Sequence, residues 1–254
     1  MVQVAWNDKV SLTRAFQGAY AVFGVTLSFR KDNETTQGQN MVDACLADNV
    51  PLFIWSSLPS AKEESHGKWT TIRAFEEKSA VDRYIKAVGQ PAVIFHTAMF
   101  TENLLEHAGG HQLVPVYPDK WEICYPMVPS NVRQPTTYVE KDVGPAVVAV
   151  INHWDDSHWR ERLGKEPIPL CSYIITGKEM AETITQVTGK EVTYVTMTET
   201  VQEPIKSLFA FSAEYSYPYE LPAPILLELG VKFHSFEDFV REKAVPFMKE
   251  MLKI

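Results

Sequence analysis

The chain has 254 residues, 45% of them hydrophobic and 22% charged, enough for one large domain or one domain with a smaller lobe. Twenty-four Lys and Arg against 32 Asp and Glu leave a net charge of −8, and no basic run interleaves with aromatics, which speaks against a nucleic-acid partner. Three cysteines, Cys45, Cys124 and Cys171, stand far apart without a C-x-x-C pair, against a disulfide framework or structural zinc site. With neither a secretory leader nor an apolar stretch of bilayer length, the expected setting is the cytoplasm, or the nucleus, with no membrane partner.

In chain order, strand-like runs are expected at 2–6, 19–25, 51–56 and 91–96, with helix-period segments between them, the pattern of βα units feeding a parallel sheet. Gly38 to Asp48 carries Met41, Ala44, Cys45 and Asp48 at helical spacing, and Phe75 to Val88 carries Val81, Tyr84, Ile85 and Val88 on one stripe, so both read as crossover helices. The near-continuous apolar run Ala19–Val25 predicts a strand covered on both faces.

After residue 100, prolines 115, 118, 126, 129 and 135 punctuate short runs such as Leu113–Tyr117 and Trp121–Met127. A helix at Val143–Asn152, a strand near Leu170–Ile174, a helix from Lys178 to Val187 and a strand at Glu191–Met197 follow. Ser235-Phe236-Glu237-Asp238 signals a capping box for the last helix, whose apolar face is Phe236, Phe239, Val240, Phe247 and Met251 and which Pro246 is expected to kink. The fold class is therefore α/β: an incomplete Rossmann-type parallel sheet with helices on both faces and a smaller C-terminal α+β substrate lobe. The expected division is 1–110 for the first domain, with some later segments returning to it, and 111–254 mainly for the second.

No G-x-G-x-x-G turn occurs in these residues, so the usual βα-turn anchor for a dinucleotide pyrophosphate is not found in them. Nor is there a G-x-S-x-G elbow or a phosphate-binding G-x-x-x-x-G-K loop, which removes hydrolase and nucleotide-triphosphatase readings. His153-Trp154-Asp155-Asp156-Ser157-His158 has metal-ligand types but reads as a solvated loop, and His107-Ala108-Gly109-Gly110-His111 as a flexible connection; no metal site is expected.

Gly18 to Thr26, Gln37-Gly38-Gln39-Asn40, Phe53 to Leu58, Phe75-Glu76-Glu77-Lys78, Phe100 to Leu105 and Tyr138 to Gly144 together resemble, in collinear order, the NmrA-like family of atypical short-chain dehydrogenases. The resemblance implies a Rossmann-type NADP(H)-binding domain with a smaller C-terminal lobe, in proteins that are NADP(H)-dependent reductases or redox-sensing regulators acting through protein partners. It also implies that this chain starts after the glycine-rich turn and that Val2–Trp6 corresponds to the family's third strand. That strand then either pairs directly with Ala19–Val25 or leaves an edge open for another chain, which makes a homo-oligomer or a protein partner an expectation; an incomplete gene model is the third explanation.

Lys78 stands three and seven residues before Val81 and Ile85, on the apolar stripe of its helix. The resemblance places the matching lysine beside nicotinamide and substrate, where a partly desolvated ammonium serves as acid or base or hydrogen-bonds a ribose or substrate oxygen. The plain alternative is a lysine whose stem covers apolar surface while its head stays wet. Thr26, Ser56 and Ser57 lie at strand ends, at the edge where open α/β sheets take ligands, although hydroxyls there also cap the following turn. The resemblance sets Gly24, Val25 and Thr26 against the cofactor, with Ser57, and gives Ser56 and Ser57 the place of a substrate-orienting serine. Position 74 is Ala, so no Tyr-x-x-x-Lys pair forms. His96, where many family members carry Arg, offers a proton relay or a structural hydrogen bond, and Phe100 and Asn103 are candidates to line a substrate pocket.

Three functions follow from these readings. The first is a family member that binds NADP(H) weakly or not at all and works as a small-molecule-binding or protein-interacting regulator. The second is an active NADP(H)-dependent reductase of a small hydrophobic or aromatic substrate, and the third a non-redox lyase or isomerase using Lys78, with His96 or a serine, as acid and base.

Overall fold

A computed structural model describes residues 3–28, 32–106, 110–117, 120–199, 201–215 and 217–252. In chain order the elements are α1 (Lys9–Phe16), β1 (Ala21–Gly24), α2 (Glu34–Ala47), β2 (Leu52–Ser57), α3 (Ala61–Glu64), α4 (Arg73–Val88), β3 (Ala92–His96) and β4 (Met99–Phe100). Then follow β5 (Gln112–Tyr117), β6 (Lys120–Pro126), β7 (Arg133–Thr137), α5 (Gly144–His153), α6 (Ser157–Lys165), β8 (Ile168–Pro169), β9 (Tyr173–Thr176), α7 (Gly177–Thr188) and β10 (Glu191–Met197). The last are α8 (Ile205–Glu214), α9 (Pro224–Glu228), α10 (Phe236–Phe239) and α11 (Val245–Met251).

The chain forms two compact units, one of residues 1–97, 146–170 and 225–230, the other of 98–145, 171–224 and 231–254. In the first, β1, β2, β3 and β8 form a parallel sheet in that order, with Trp55 beside both Gly24 and Ile94 and Ser57 beside His96. All six β2 residues are buried, as expected of a central parallel strand covered on both faces. The core over one face gathers Phe53 and Trp55 with Met41, Cys45, Val81 and Ile85 from α2 and α4. Gly38 makes that layer close-packed: a Cβ there would lie 2.5 Å from Val81 Cγ2. Gly89 ends α4 in the left-handed region at φ +73°, its N–H closing on the Ile85 carbonyl.

Two expectations about the start of the chain are corrected. Gln3 to Trp6 form no strand; Asp8 instead caps α1 by accepting from the N–H groups of Val10 and Ser11, and a cap with an apolar Leu12 to bury outweighs a five-residue strand pattern. Val2 itself lies outside the described residues. The second correction concerns Ala19–Val25, of which only β1 is strand and which is not covered on both faces: Gly24 is buried, whereas Phe23 and Val25 are 41% and 40% exposed, and beyond the strand Thr26 is buried and Leu27 46% exposed. Among the described residues β1 pairs only with β2, so its other edge carries no strand.

The second unit holds two three-stranded sheets, β10-β6-β5 and β4-β7-β9, around Trp121, Ile123, Tyr138, Ile184, Phe209 and Phe239. Thr176 and Glu179 form a capping box at the start of α7, and Ser235 and Asp238 form the expected one at α10. Pro246 follows directly on a π-helical turn at Val240–Ala244, through which the helix runs without a break from α10 into α11, so the ladder is irregular immediately before the proline. The stretch His153–His158 is also more than a solvated loop, since Trp154 is buried with its indole N–H on the Pro51 carbonyl and Asp156 caps α6. His107 to Gly109 lie outside the described residues.

Candidate functional site

Helix α4 carries two polar clusters one turn apart, both in the first unit. The i and i+4 positions of a helix lie on one face, so Lys78 and Asp82 are both directed toward the ends of the strands beneath.

Around Lys78 the ammonium donates to the Thr26 carbonyl at 3.0 Å and the Thr26 hydroxyl at 2.9 Å and pairs with Glu34 Oε2 at 2.7 Å. It also stands 5.6 Å from the centre of the Trp55 ring. The Thr26 hydroxyl in turn donates to Glu34 Oε2 at 2.6 Å. The Lys78 and Glu34 side chains are 9% and 3% exposed, so this is a buried ion pair. An ammonium has three N–H donors, and here three acceptors of its own unit answer them. Glu34 is fixed from behind by α4 as well, its N–H donating to Glu77 Oε2 at 2.8 Å.

Around Asp82, the Ser57 hydroxyl donates to Oδ1 at 2.6 Å and His96 Nε2 lies 2.9 Å from Oδ2. The carboxylate thus bridges the C-terminal ends of β2 and β3, which the parallel register sets side by side. Asp82 and His96 also line a groove of about 450 Å³ between α4 and α6, floored by Ala92 and Ile94.

The sequence-predicted residues divide accordingly. Thr26 and Lys78 come together, and Ser57 and His96 come together through Asp82. Ser56, buried, alternates to the opposite face of β2 from Ser57. Gly24 faces inward, where a Cβ would meet the Phe53 ring at 2.7 Å, and Val25 faces outward. Phe100 and Asn103 belong to the second unit; Phe100 borders a hollow of about 10 Å³ with His111 and Tyr125, room for about one water. Among the described residues no group of three metal-ligating side chains forms, and no helix is long and apolar enough to cross a membrane.

Sequence reasoning missed Glu34 and Asp82. Both left a signal, Asp82 by its i+4 spacing from Lys78 and Glu34 by its place in the first turn of a helix, where the dipole favours a carboxylate. It also missed the fully buried Asp142 of the second unit, which accepts from Ser172 and lies 2.6 Å from His234 Nδ1; nothing short of the fold brings positions 142, 172 and 234 together.

The NmrA-like family model matches residues 1–246. The chain belongs to the NmrA-like family. It is 26% identical over 195 residues to the nitrogen metabolite repression protein nmr of Neurospora crassa, covering 74% of this chain and 37% of that protein. With the nitrogen metabolite repression protein nmrA of Emericella nidulans it shares 23% identity over 225 residues, 86% of this chain and 62% of that one. An NmrA-like family domain-containing oxidoreductase, lnbB of Aspergillus flavus, is 25% identical over 75% of this chain and 59% of its own length. The chain therefore spans less than two thirds of these relatives. Among solved structures, the negative transcriptional regulator NmrA in complex with NAD superposes with a TM-score of 0.80 at 19% identity, covering 99% of this chain and 82% of that one. Its complex with NADP gives 0.77 at 19% identity, over 95% and 79%. The family thus includes regulators and oxidoreductases, and these two solved structures similar to the chain hold NAD and NADP.

The Lys78 donors and the Thr26 hydroxyl are turned onto one another and Glu34, and the inner face of Gly24 is filled by Phe53.

Proposed function

We propose that this chain is a regulator of the NmrA type, binding NADP(H) weakly or not at all and working through a small-molecule ligand or a protein partner. The observation that carries the reading is the buried Lys78–Glu34–Thr26 cluster. A nicotinamide ribose or a substrate oxygen would have to displace a carboxylate from a buried ammonium, and breaking a buried pair without replacement is strongly unfavourable. The same closure weighs against Lys78 as a free acid or base in a reductase or a lyase. Gly24, Val25, Thr26 and Ser57 on this reading are remnants of a cofactor edge that now serve packing and hydrogen bonding. Phe100 and Asn103 remain candidates for a pocket of the second unit.

A protein partner has a place to go. The run Ala19–Ser28 carries no charged residue; β1 within it exposes Phe23 beside an edge that pairs with no strand among the described residues, and Val25 and Leu27 just after it are exposed as well, an arrangement that natural sheets blunt with lysines or prolines when nothing covers it. Covering could come from a homo-oligomer or another chain, in the cytoplasm or nucleus.

Titration of the 254-residue chain with NADPH, and with NADH as a control, followed by tryptophan quenching and thermal shift, tests the central claim. The expected result is no saturation below about 1 mM and no concentration-dependent rise in Tm. Saturable micromolar binding of NADPH would refute it.

A further inference from the structure

The groove between α4 and α6 is separate from the Lys78 cluster: neither Lys78, Thr26 nor Glu34 lines it. Its volume of about 450 Å³ lies in the range of small-molecule sites. The floor is apolar and half-buried, Ala92 and Ile94 pointing up from β3 on the same face as His96, as alternation requires. Gly164 narrows the α6 side, where a Cβ would lie 3.5 Å from the Ala92 carbonyl.

The two ends of the groove differ in chemistry. At the strand end, Asp82 holds His96 and Ser57, one on each carboxylate oxygen, and each oxygen keeps a second lone pair that can accept from a hydroxyl group. On the α6 side stand Arg160 and Lys165. The Arg160 guanidinium is braced by the Trp154 carbonyl at 3.0 Å and the Asp155 carbonyl at 3.4 Å and lies 5.7 Å from the Trp154 ring centre. Its bonds in the groove wall are to neutral carbonyls, so its charge is oriented and has no carboxylate ion pair among the described residues. The other lining cations differ, Arg83 and Lys86 facing Glu63 and Glu166 at 3.5 Å and 3.8 Å.

We propose that this groove is a binding site for a planar organic anion, its ring on Ala92 and Ile94, its anionic group on Arg160 with Lys165 beside it, and a hydroxyl on the Asp82 carboxylate. A braced guanidinium loses little freedom when it meets a carboxylate, which makes Arg160 the anchor. The Asp82 end supplies selectivity, because a carboxylate rewards a donor and repels a second anion.

The probe is 6-hydroxy-2-naphthoate, followed by its own fluorescence and by backbone amide shift mapping on the 254-residue chain, with 2-naphthoate lacking the hydroxyl and neutral 2-naphthol lacking the anion. Saturable binding is expected, with shifts concentrated in 82–96 and 154–166. Arg160→Glu, at an exposed residue, should weaken the hydroxynaphthoate at least about tenfold, a change of about 1.4 kcal/mol. Asp82→Asn should bring hydroxynaphthoate and naphthoate to within about twofold of each other. Val10→Lys, on α1 and 69% exposed, should change nothing, and circular dichroism of each variant confirms that it is folded. Shifts that gather at 20–27, equal affinity for the neutral naphthol, or a folded Arg160→Glu chain that binds as before would each overturn the proposal.

Discussion

One turn of α4 separates Lys78 from Asp82, and both side chains are largely buried, 9% and 14% exposed, yet they differ in what lies beside them. Lys78 is closed in, 9% exposed, against a carboxylate and a threonine of its own unit. Asp82 gathers two neighbours of similar polarity but stands at the head of a groove. The difference is set by what lies opposite: the first turn of α2 and the end of β1 come down on Lys78, whereas nothing equivalent fills the space between α4 and α6. The Lys78 cluster is thus closed by partners of its own unit, and the Asp82 cluster borders open space.

The sharpest way to break this contrast is to open the Lys78 cluster. Glu34→Ala leaves a buried ammonium with its charge uncompensated and is expected to cost about 3–5 kcal/mol in urea unfolding. Exchange of the pair for apolar residues, Glu34→Leu with Lys78→Met, should cost far less. Equal losses in the two variants would show that the pair is not buried in the way described. Asp82→Ala comes next, at about 1–3 kcal/mol, since it strands the Ser57 hydroxyl and one His96 nitrogen beside a partly open groove that water can enter. A loss as large as that of Glu34→Ala would erase the distinction between closed and open clusters.

The smallest effect belongs to the second unit and calibrates the others. The backbone N–H and then the hydroxyl of Thr176 bond to Glu179 and hold its carboxyl below the usual range. A carboxyl lowered by folding contributes stability that is fully present above its unfolded pKa and is lost as pH falls through the folded value. Glu179→Ala should therefore lower Tm at neutral pH, by less than about 1 kcal/mol in stability, and match the unaltered chain at the acid end of the carboxylate range. A difference that persists undiminished into strong acid would assign it to packing instead of the capping box.

Much of the fold was legible from residue pattern. Helical stripes located α2 and α4 to within a few residues at either end, Glu191–Met197 is a strand as expected, and the capping box at Ser235 is where its spacing put it. These succeed because periodicity and capping are local, set by neighbours within four positions. The errors are equally physical. The Gln3–Trp6 run has strand composition but no strand partner, and pairing is a non-local matter. Ala19–Val25 reads as doubly buried because apolar composition records what a strand can tolerate, not what lies over it.

For the candidate site, the chain by itself determined which side chains stand at strand ends and on the inner stripe of α4: Thr26, Ser57, Lys78 and His96. Spacing along a strand or helix fixes direction, and direction is local. Only tertiary structure decided their partners, because Glu34 reaches Lys78 across 44 positions and Asp82 joins Ser57 to His96 across 25 and 14. Whether a buried lysine is a reagent or a clasp depends on the charge set opposite it, and that charge is delivered by the packing of helices on a sheet, which no local pattern encodes.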